Sequence, residues 1–259
     1  MGEKKLISPE FRVTVGEYEI KDGVEVECFS SRESHIDWCR VELSPRLQGL
    51  IQFKDMDEAQ VELGYEDDFD TLIDGYVRCN GSDYWKEIMI KDDMMKLERA
   101  TVKGTFIDCT PQDIIRYILT RAGITAYELT DEVYGKKKVY SIEEKSGTAA
   151  IAEINSSWGI SNPFFFQEKI FHWGTKKEQK EVYVLEEDET IISLNKYGDM
   201  WEAETIAIPW IHHSQEVIVE HSKYSGTVVV EKTIVRSDDS GAVHMLSLIH
   251  ISEPTRHAQ

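Results

Sequence analysis

Short runs in which apolar and polar residues alternate dominate the first hundred residues of this chain. The run VEVECFSS at 24–31 is the clearest example. Successive side chains of a strand point to opposite faces, so this period of two predicts a half-buried strand. The same pattern predicts strands at 39–44, 50–53, 59–65, 72–79, 87–92 and 100–106. Short strands joined by polar connections are typical of small barrels, and we predict an N-terminal β-barrel over 1–108.

A helical period begins near position 109. In CTPQDIIRYILTRAGI, Thr110 is placed to cap a helix, Pro111 suits its first position and Gly123 suits the position after its end. A second helix is predicted over GTAAIAEINSSWG at 147–159. We therefore predict a helical subdomain at 109–160.

Strand patterns return after position 160. They predict two strands within 163–174, with a turn near 167–169, and further strands at 181–188, 190–199, 200–209, 216–222, 226–236 and 242–246. The predicted fold class is mainly β with a helical insert (α+β). It consists of two small β-barrel domains, 1–108 and 161–246, joined by the short helical subdomain.

The last residues, LSLIHISEPTRHAQ, follow a complete hairpin and show neither period. They closely resemble the peptide obtained when a sequencing adapter is translated by mistake. We therefore expect 247–259 to be a non-native tail. A genuine C-terminal strand followed by a tail is the alternative.

The net charge is −19, from 48 acidic and 29 basic residues. A surface this negative repels nucleic-acid phosphates and anionic membranes, so we expect no specific nucleic-acid binding. No apolar run approaches the roughly 18 residues of a membrane span, and we expect no membrane anchor. The charge serves either solubility or a surface that repels DNA and other anions.

The four cysteines, at positions 28, 39, 79 and 109, lie far apart and form neither a C-x-x-C pair nor a zinc-site spacing. We expect them to be buried or half-exposed thiols in a reducing compartment.

The segment ELGYEDDFDTLIDGYV concentrates carboxylates, with Glu66, Asp67, Asp68 and Asp70 within five residues. Its spacing does not fit a calcium-binding loop. A catalytic acid pair needs a concave, partly dry setting. These carboxylates lie between two predicted strands, where a solvated hairpin connection is expected. A weak metal site is the alternative.

Other candidate chemistry is weaker. Adjacent His212 and His213 could bind a metal with His172 or His221 only if folding brought them together, and a loop pair is the simpler interpretation. Cys109 precedes a helix N-terminus, but no histidine is near it in sequence. Nucleophile-elbow and phosphate-loop motifs are missing. We predict no catalytic residue, no metal and no cofactor.

Three segments, taken in order, resemble the late-control protein D-like family of phage tail baseplate hub proteins. This family is related to the hub part of contractile injection systems and type VI secretion spikes. The segments are VELGYEDDFDTLIDGYV, then GTFIDCTPQDIIRYILTRAGI, and then the stretch from FFFQEKIFHWG to SDDSG. The resemblance covers about residues 6–245, and the order of the segments carries it more than any single motif.

The resemblance implies a homotrimer in the virion, at the distal end of a tail tube, made in the cytoplasm of the host bacterium. Two barrels from each of three subunits would form a ring that matches the hexameric tail tube. The spike protein would dock on the other side, with the tape measure protein nearby. The lumen would pass DNA, and a negative wall would not bind its phosphates. The carboxylates at 66–70 would then lie at the lumen or the rim.

We therefore predict a non-enzymatic hub in which apolar barrel edges pair between subunits. The aromatic runs PFFF and FHWG are typical of core or interface positions. The candidate interface residues are Phe164, Phe165, Phe166, Phe171, Trp173 and Trp201. Two alternatives are the hub part of a tail-associated wall hydrolase with a downstream catalytic domain, and a carbohydrate-binding β-protein that uses the aromatic runs.

Overall fold

The chain folds into eighteen strands and three helices in the residues described by the computed structural model, which are 8–79, 86–237 and 242–250. The strands are β1 (Glu10–Val15), β2 (Tyr18–Ile20), β3 (Val24–Ser31), β4 (Trp38–Leu43), β5 (Glu58–Tyr65), β6 (Asp68–Val77), β7 (Glu87–Lys91), β8 (Thr101–Cys109), β9 (Tyr127–Leu129), β10 (Lys137–Ser146), β11 (Phe164–Gln167), β12 (Ile170–Trp173), β13 (Tyr183–Glu186), β14 (Ile191–Tyr197), β15 (Met200–Ile206), β16 (Glu216–His221), β17 (Tyr224–Ser237) and β18 (Val243–His250). The helices are α1 (Met94–Arg99), α2 (Pro111–Arg121) and α3 (Gly147–Trp158). The mainly β class with a helical part is therefore confirmed. No described helix is long and apolar enough to span a membrane.

Local sequence signals set the ends of α2. The hydroxyl of Thr110 accepts a hydrogen bond from the Asp113 N–H, and the Asp113 carboxylate accepts one from the Thr110 N–H. This reciprocal capping satisfies two backbone donors that the helix leaves unpaired. At the other end Gly123 has φ +73°, and the N–H of Ile124 reaches back to the Leu119 carbonyl. These are the caps that the sequence predicts.

Thirteen strands form one sheet, in the order β14-β15-β18-β17-β3-β4-β7-β6-β5-β1-β2, with β16 also paired to β17 and β13 paired to β16. The predicted pair of separate barrels is therefore wrong, because no closed barrel forms among the described strands. The reason lies at β3, where Cys28 is opposite Cys39 of β4 and also opposite Val235 of β17. β17 takes the edge of β3 opposite β4 along residues 27–31, and no N-terminal strand closes a barrel there.

Two smaller sheets accompany the helices. One contains β8 and β10, and the other has the order β11-β12-β9. The side chains of the large sheet share one hydrophobic core, whereas the helices and the small sheets enclose a second core around residues such as Ile118, Ile151 and Trp173. The predicted domain boundaries stay a prediction.

Several individual elements differ from the sequence-based expectation. Residues 50–53 lie outside any strand, in a turn region where Leu50 is 67% exposed. The strands β1 and β2 and the short helix α1 were not anticipated, and β9 and β10 interrupt the region expected to be helical. The run at 50–53 was misassigned because four residues are too few for an alternating pattern to identify a strand.

The last strand, β18, extends beyond the point where the tail was expected to begin. It pairs with β15 and β17 as far as His250, and Ser247 and Ile249 are buried. Ser247 lies at an inward position of β18, where the alternating pattern requires an apolar residue. The sequence pattern therefore does not reveal the end of this strand. Residues 251–259 lie outside the described residues, and the origin of the tail stays a prediction.

Two cysteines form a disulfide, contrary to the expectation of four thiols. Cys28 and Cys39 face each other on β3 and β4, with Cα atoms 4.1 Å apart. Strand register, which sequence spacing does not reveal, brings them together. Cys79 and Cys109 are free thiols.

Gly75 lets β6 approach the end of β7 closely. A Cβ atom at this position would lie 1.9 Å from the Lys91 carbonyl oxygen and 2.9 Å from the Asp92 Cα. Backbone atoms cannot move aside as a flexible side chain can. Gly75 therefore fixes the position at which the chain leaves β7.

We predict that Gly75→Ala lowers the free energy of unfolding by about 3 kcal/mol or more, because the added methyl group overlaps backbone atoms. Urea unfolding would measure the loss. Gly135→Ala is the matched control, since a Cβ there has no atom within 4 Å. Equal stabilities for the two variants would contradict this account of Gly75.

Candidate functional site

The acidic segment folds as a tight hairpin between β5 and β6. Tyr65 pairs with Asp68, so Glu66 and Asp67 form the two-residue connection, and both are exposed. Glu66 has φ +56°. Asp68 and Asp70 belong to β6. The turn is thus a solvent-exposed hairpin connection, the alternative that the sequence favours, and its position at a lumen or rim stays a prediction.

The base of this hairpin is attached to the connection between β15 and β16. The Tyr65 hydroxyl donates a 2.6 Å hydrogen bond to the Ala207 carbonyl. Nε2 of His212 lies 3.1 Å from Oδ2 of Asp70. Segments more than 140 residues apart in sequence are therefore joined at this point.

A cleft of about 260 Å³ opens beside Asp70. Its charged and histidine lining residues are Asp37, Asp70, Asp74, Asp92, Asp93, Glu168, Lys169, Lys177, His212 and His213. Several of these charges are compensated. Lys169 pairs with Asp74 at 2.9 Å, and Lys177 pairs with Glu168.

Two carboxyl groups in the lining of the cleft are largely removed from solvent, since Asp92 is 6% exposed and the side chain of Asp37 is 13% exposed. Asp37 follows β3, and its carboxylate accepts hydrogen bonds from the Ser30 hydroxyl at 2.6 Å and the Ser31 N–H at 2.9 Å. Asp92 follows β7 and accepts from the Met94 N–H at 3.1 Å. Burial is the main cause that raises the pKa of Asp37 to about 7, against the hydrogen bonds from the two serines. Burial, followed by the neighbouring charge of Asp37, raises the pKa of Asp92 well above its ordinary value.

His213 lies against this pair but does not neutralise it. Its Nε2 is 3.7 Å from Oδ2 of Asp37, and the residue is 2% exposed. Burial, and then the positive charges of His212, Arg32 and His172, lower the pKa of His213 to about 3. His213 is therefore neutral near pH 7, and its contact with Asp37 is not an ion pair.

The arrangement can hold and exchange a proton, because two buried carboxyl groups cannot both ionise cheaply. Within residues 8–79, 86–237 and 242–250, no cluster of three or more His, Cys, Asp or Glu could hold a metal ion. Burial raises the pKa of the Cys109 thiol, the opposite of what a reactive cysteine requires.

The six candidate interface aromatics are buried, and all but Phe165 belong to the two hydrophobic cores. Phe164, Phe165, Phe166, Phe171 and Trp173 are at most 5% exposed, and Trp201 is 8% exposed. Five of them come together on the β11–β12 hairpin, and Trp201 lies on β15. Their burial agrees with the core alternative, and their part in a subunit contact stays a prediction.

Sequence reasoning missed the residues at the centre of the cleft. Asp37 and Asp92 were not singled out, and His213 was considered only with its neighbour. The available signal was weak: Asp37 lies between apolar Ile36 and Trp38, and Asp92 directly follows a strand. Only the pairing of β4 with β7, which aligns Trp38 with Lys91, brings the two carboxyl groups together.

Comparison with known proteins gives a match in structure only. No protein-family model and no curated protein matches the sequence. The 43 kDa tail protein of prophage MuSo2 from Shewanella oneidensis is similar with a TM-score of 0.71 and 13% identity, over 94% of this chain and 98% of that chain. A tail protein from Neisseria meningitidis MC58 is similar with a TM-score of 0.67 and 11% identity, over 95% and 97%.

The chain has the fold of these two tail proteins. A third structure with this tail-protein fold has a TM-score of 0.65 and 10% identity, over 93% of this chain and 77% of that chain. It is an Escherichia coli component of the type VI secretion system with structural similarity to the T4 bacteriophage tail proteins gp27 and gp5. The resemblance drawn from the sequence is therefore confirmed at the level of the fold.

We predict that Tyr65→Phe lowers the free energy of unfolding by about 1–2 kcal/mol, because the buried Ala207 carbonyl loses its donor. Chemical denaturation would measure the change. Tyr197→Phe is the matched control, since Tyr197 is 61% exposed. A Tyr65→Phe variant as stable as the control would show that this hydrogen bond does not hold the hairpin.

We predict a pH-dependent effect of Asp70→Asn. Burial acts to raise the pKa of Asp70, but the hydrogen bond and charge of His212, the Thr71 N–H and Lys177 outweigh it and lower the pKa. The ionised form is therefore favoured in the folded state, and its stabilisation is lost as the pH falls through the folded pKa.

At neutral pH the Asp70→Asn variant should be less stable than the wild type, by less than about 1 kcal/mol because Asp70 is partly exposed. The difference should shrink below about pH 4. Unfolding at several pH values would test this, with Glu66→Gln in the same hairpin as the control. A difference that grows below about pH 4, where Asp70 takes up its proton, has the wrong sign for this account.

Proposed function

We propose that this protein is a structural subunit of a phage tail baseplate, where it acts as the hub that joins the tail tube to the spike. The observation that carries the proposal is the tail-protein fold, which extends over 93–95% of the chain in three separate comparisons. At this coverage the match is not limited to one segment of the chain. The proposed place of the protein is the virion.

In this proposal three copies form a ring around the tail axis. In each copy the pairing of β3 with β17 joins the N-terminal strands of the large sheet to its C-terminal strands. Three copies would therefore provide six such groups of strands around a hexameric tube. The partners are further copies of the chain, the tail tube protein, the spike protein and the tape measure protein. The role is assembly, and we propose no enzymatic activity.

The open edges of the large sheet suggest where neighbouring copies meet. Apart from an isolated bridge between Ile191 and Glu187, the described part of β14 pairs only with β15. Unpaired strand edges readily accept another chain. Ile192 on β14 is 51% exposed and Tyr197 is 61% exposed, which supports contact with a neighbouring copy. The six buried aromatics would support this contact from the interior.

The charge supports a passage for DNA. With a net charge of −19 and an exposed acidic turn at Glu66 and Asp67, a wall built from this chain would repel phosphates. We propose that this hairpin faces the lumen or its rim.

The test of the ring is the solution mass of the purified protein, followed by negative-stain imaging. We expect a mass three times that of the 29.9 kDa chain and particles with a central hole. A monomer at high concentration, in the presence of the tail tube protein and the spike protein as well, would contradict the proposal.

We predict that Ile192→Lys weakens the trimer at least about tenfold, because a lysine on an edge strand opposes pairing with another chain. Sedimentation at several concentrations would measure the effect. Val133→Lys is the matched control, since Val133 is 94% exposed and lies outside the strands. Equal dissociation constants for the two variants would exclude the β14 edge as the contact.

A further inference from the structure

The buried carboxyl groups of Asp37 and Asp92 lie where the large sheet meets the helical part of the molecule. We define this junction by four segments: residues 30–37 at and after the end of β3, residues 92–94 at the start of α1, residues 211–214 before β16, and the first residues of β11. His35 stacks on Phe164 with ring centroids 3.8 Å apart. The edge contact between Phe165 and His213 has a centroid distance of 4.7 Å. All four segments are therefore in contact around the pair.

Reciprocal hydrogen bonds join the two segments that carry the carboxyl groups. The Asp92 N–H donates to the Asp37 carbonyl at 3.2 Å, and the Asp37 N–H donates to Oδ2 of Asp92 at 3.4 Å. The side chain of Asp92 is thus part of the link between β3–β4 and β7–α1. A change in the charge of this side chain acts directly on the link.

The pair has little compensating charge. Within the described residues, the one ion-pair partner found within 4.0 Å of either carboxyl group is His213, which is neutral. The neighbouring Asp93 differs, because Lys96 lies 2.6 Å from it. Two ionised carboxylates in this position would repel each other with no cation between them.

The other titratable and charged groups around the pair come from each adjoining element. They are Asp93 and Lys96 at α1, Asp70 and Asp74 on β6, His212 before β16, Arg32 and His35 after β3, His172 on β12 with its neighbour Glu128 on β9, and Glu168, Lys169 and Lys177 around β11 and β12. Lys169 pairs with Asp74, and Lys177 pairs with Glu168. Asp70 lies 3.1 Å from His212, and Arg32 lies 3.5 Å from Glu231. The positively charged groups near the pair are therefore already paired with other carboxylates.

We propose that Asp37 and Asp92 form a proton-operated latch, which keeps the junction closed while the pair holds a proton and loosens it when that proton is lost. The latch goes beyond the proposed hub role and does not depend on it. It would let the pH of the surroundings control how firmly the sheet is attached to the helical part.

The direction of the effect follows from the two raised pKa values. The folded state retains a proton on the pair where the unfolded chain has already released it, so the pair's contribution to stability falls as the pH rises from about 4 to about 7 and beyond. His213, with its pKa lowered to about 3, acts in the opposite direction and costs stability as the pH falls below about 6.5. The pair's own contribution is therefore largest near pH 4 and weakens steadily towards the alkaline side, where the latch opens.

Native-state proteolysis of the wild type and of Asp37→Asn tests the latch. An asparagine can accept the Ser31 N–H and donate to the Ser30 hydroxyl, and it stays neutral at every pH. We expect equal cleavage rates at about pH 4 and a wild type cleaved at least about fivefold faster than the variant at about pH 9. Because the wild type and the variant are compared at the same pH, the pH dependence of the protease itself does not affect the ratio of their cleavage rates. The additional cuts should fall within 30–37 or 211–214.

Asp67→Asn, on the exposed turn, is the control and should follow the wild type at both pH values. Asp92→Asn replaces Asp37→Asn if that variant does not fold; its amide keeps only one of the two backbone N–H bonds that the Asp92 oxygens accept, so its cleavage is read as a change with pH and not as an absolute rate. Carboxyl carbon NMR of the wild type should show one proton retained on the pair near pH 6. A cleavage ratio that stays at one, cuts elsewhere in the chain, or two fully ionised carboxylates near pH 6 would each overturn the proposal.

Discussion

The pairing of β3 with both β4 and β17 is the constraint on which the rest of the structure depends. It joins strands from the two ends of the chain into one sheet of thirteen strands. It also fixes the disulfide, because Cys28 meets Cys39 in the same register. Since β3 ends at Ser31, directly before the segment that carries Asp37, this pairing also determines where that buried carboxyl group lies.

The position of the cleft follows from the backbone geometry around the paired strands β3, β4 and β17. Pairing of β4 with β7, together with the close approach at Gly75, brings the Asp92 segment to Asp37. The hairpin of Tyr65 and Asp70 then fixes the β15–β16 connection, which carries His213, against the same place. The molecule keeps an uncompensated carboxyl pair at the contact of its two cores, an arrangement that usually costs stability and that functional sites tolerate.

Local features of the fold could be predicted from the sequence, and long-range ones could not. The ends of α2, the β11–β12 hairpin and most strands follow from caps, turns and alternation that act over a few residues. Closure into barrels was wrongly expected because strand order depends on contacts such as that between Cys28 and Val235, which no local period encodes. The site was missed for the same reason, since Asp37 and Asp92 are 55 residues apart and each looks like an ordinary strand-end carboxylate.

The charge, the exposed acidic turn and the tail-protein fold are the features on which the proposed hub, with its passage for DNA, rests. The most direct test is a cryo-electron microscopy map of the intact tail that contains this protein. The account predicts three copies of the fold in a ring between the last disc of the tube and the spike, with the turn at 66–67 on the inner wall or its rim. A map in which this fold lies outside the tail axis, or is missing from the baseplate, would contradict it.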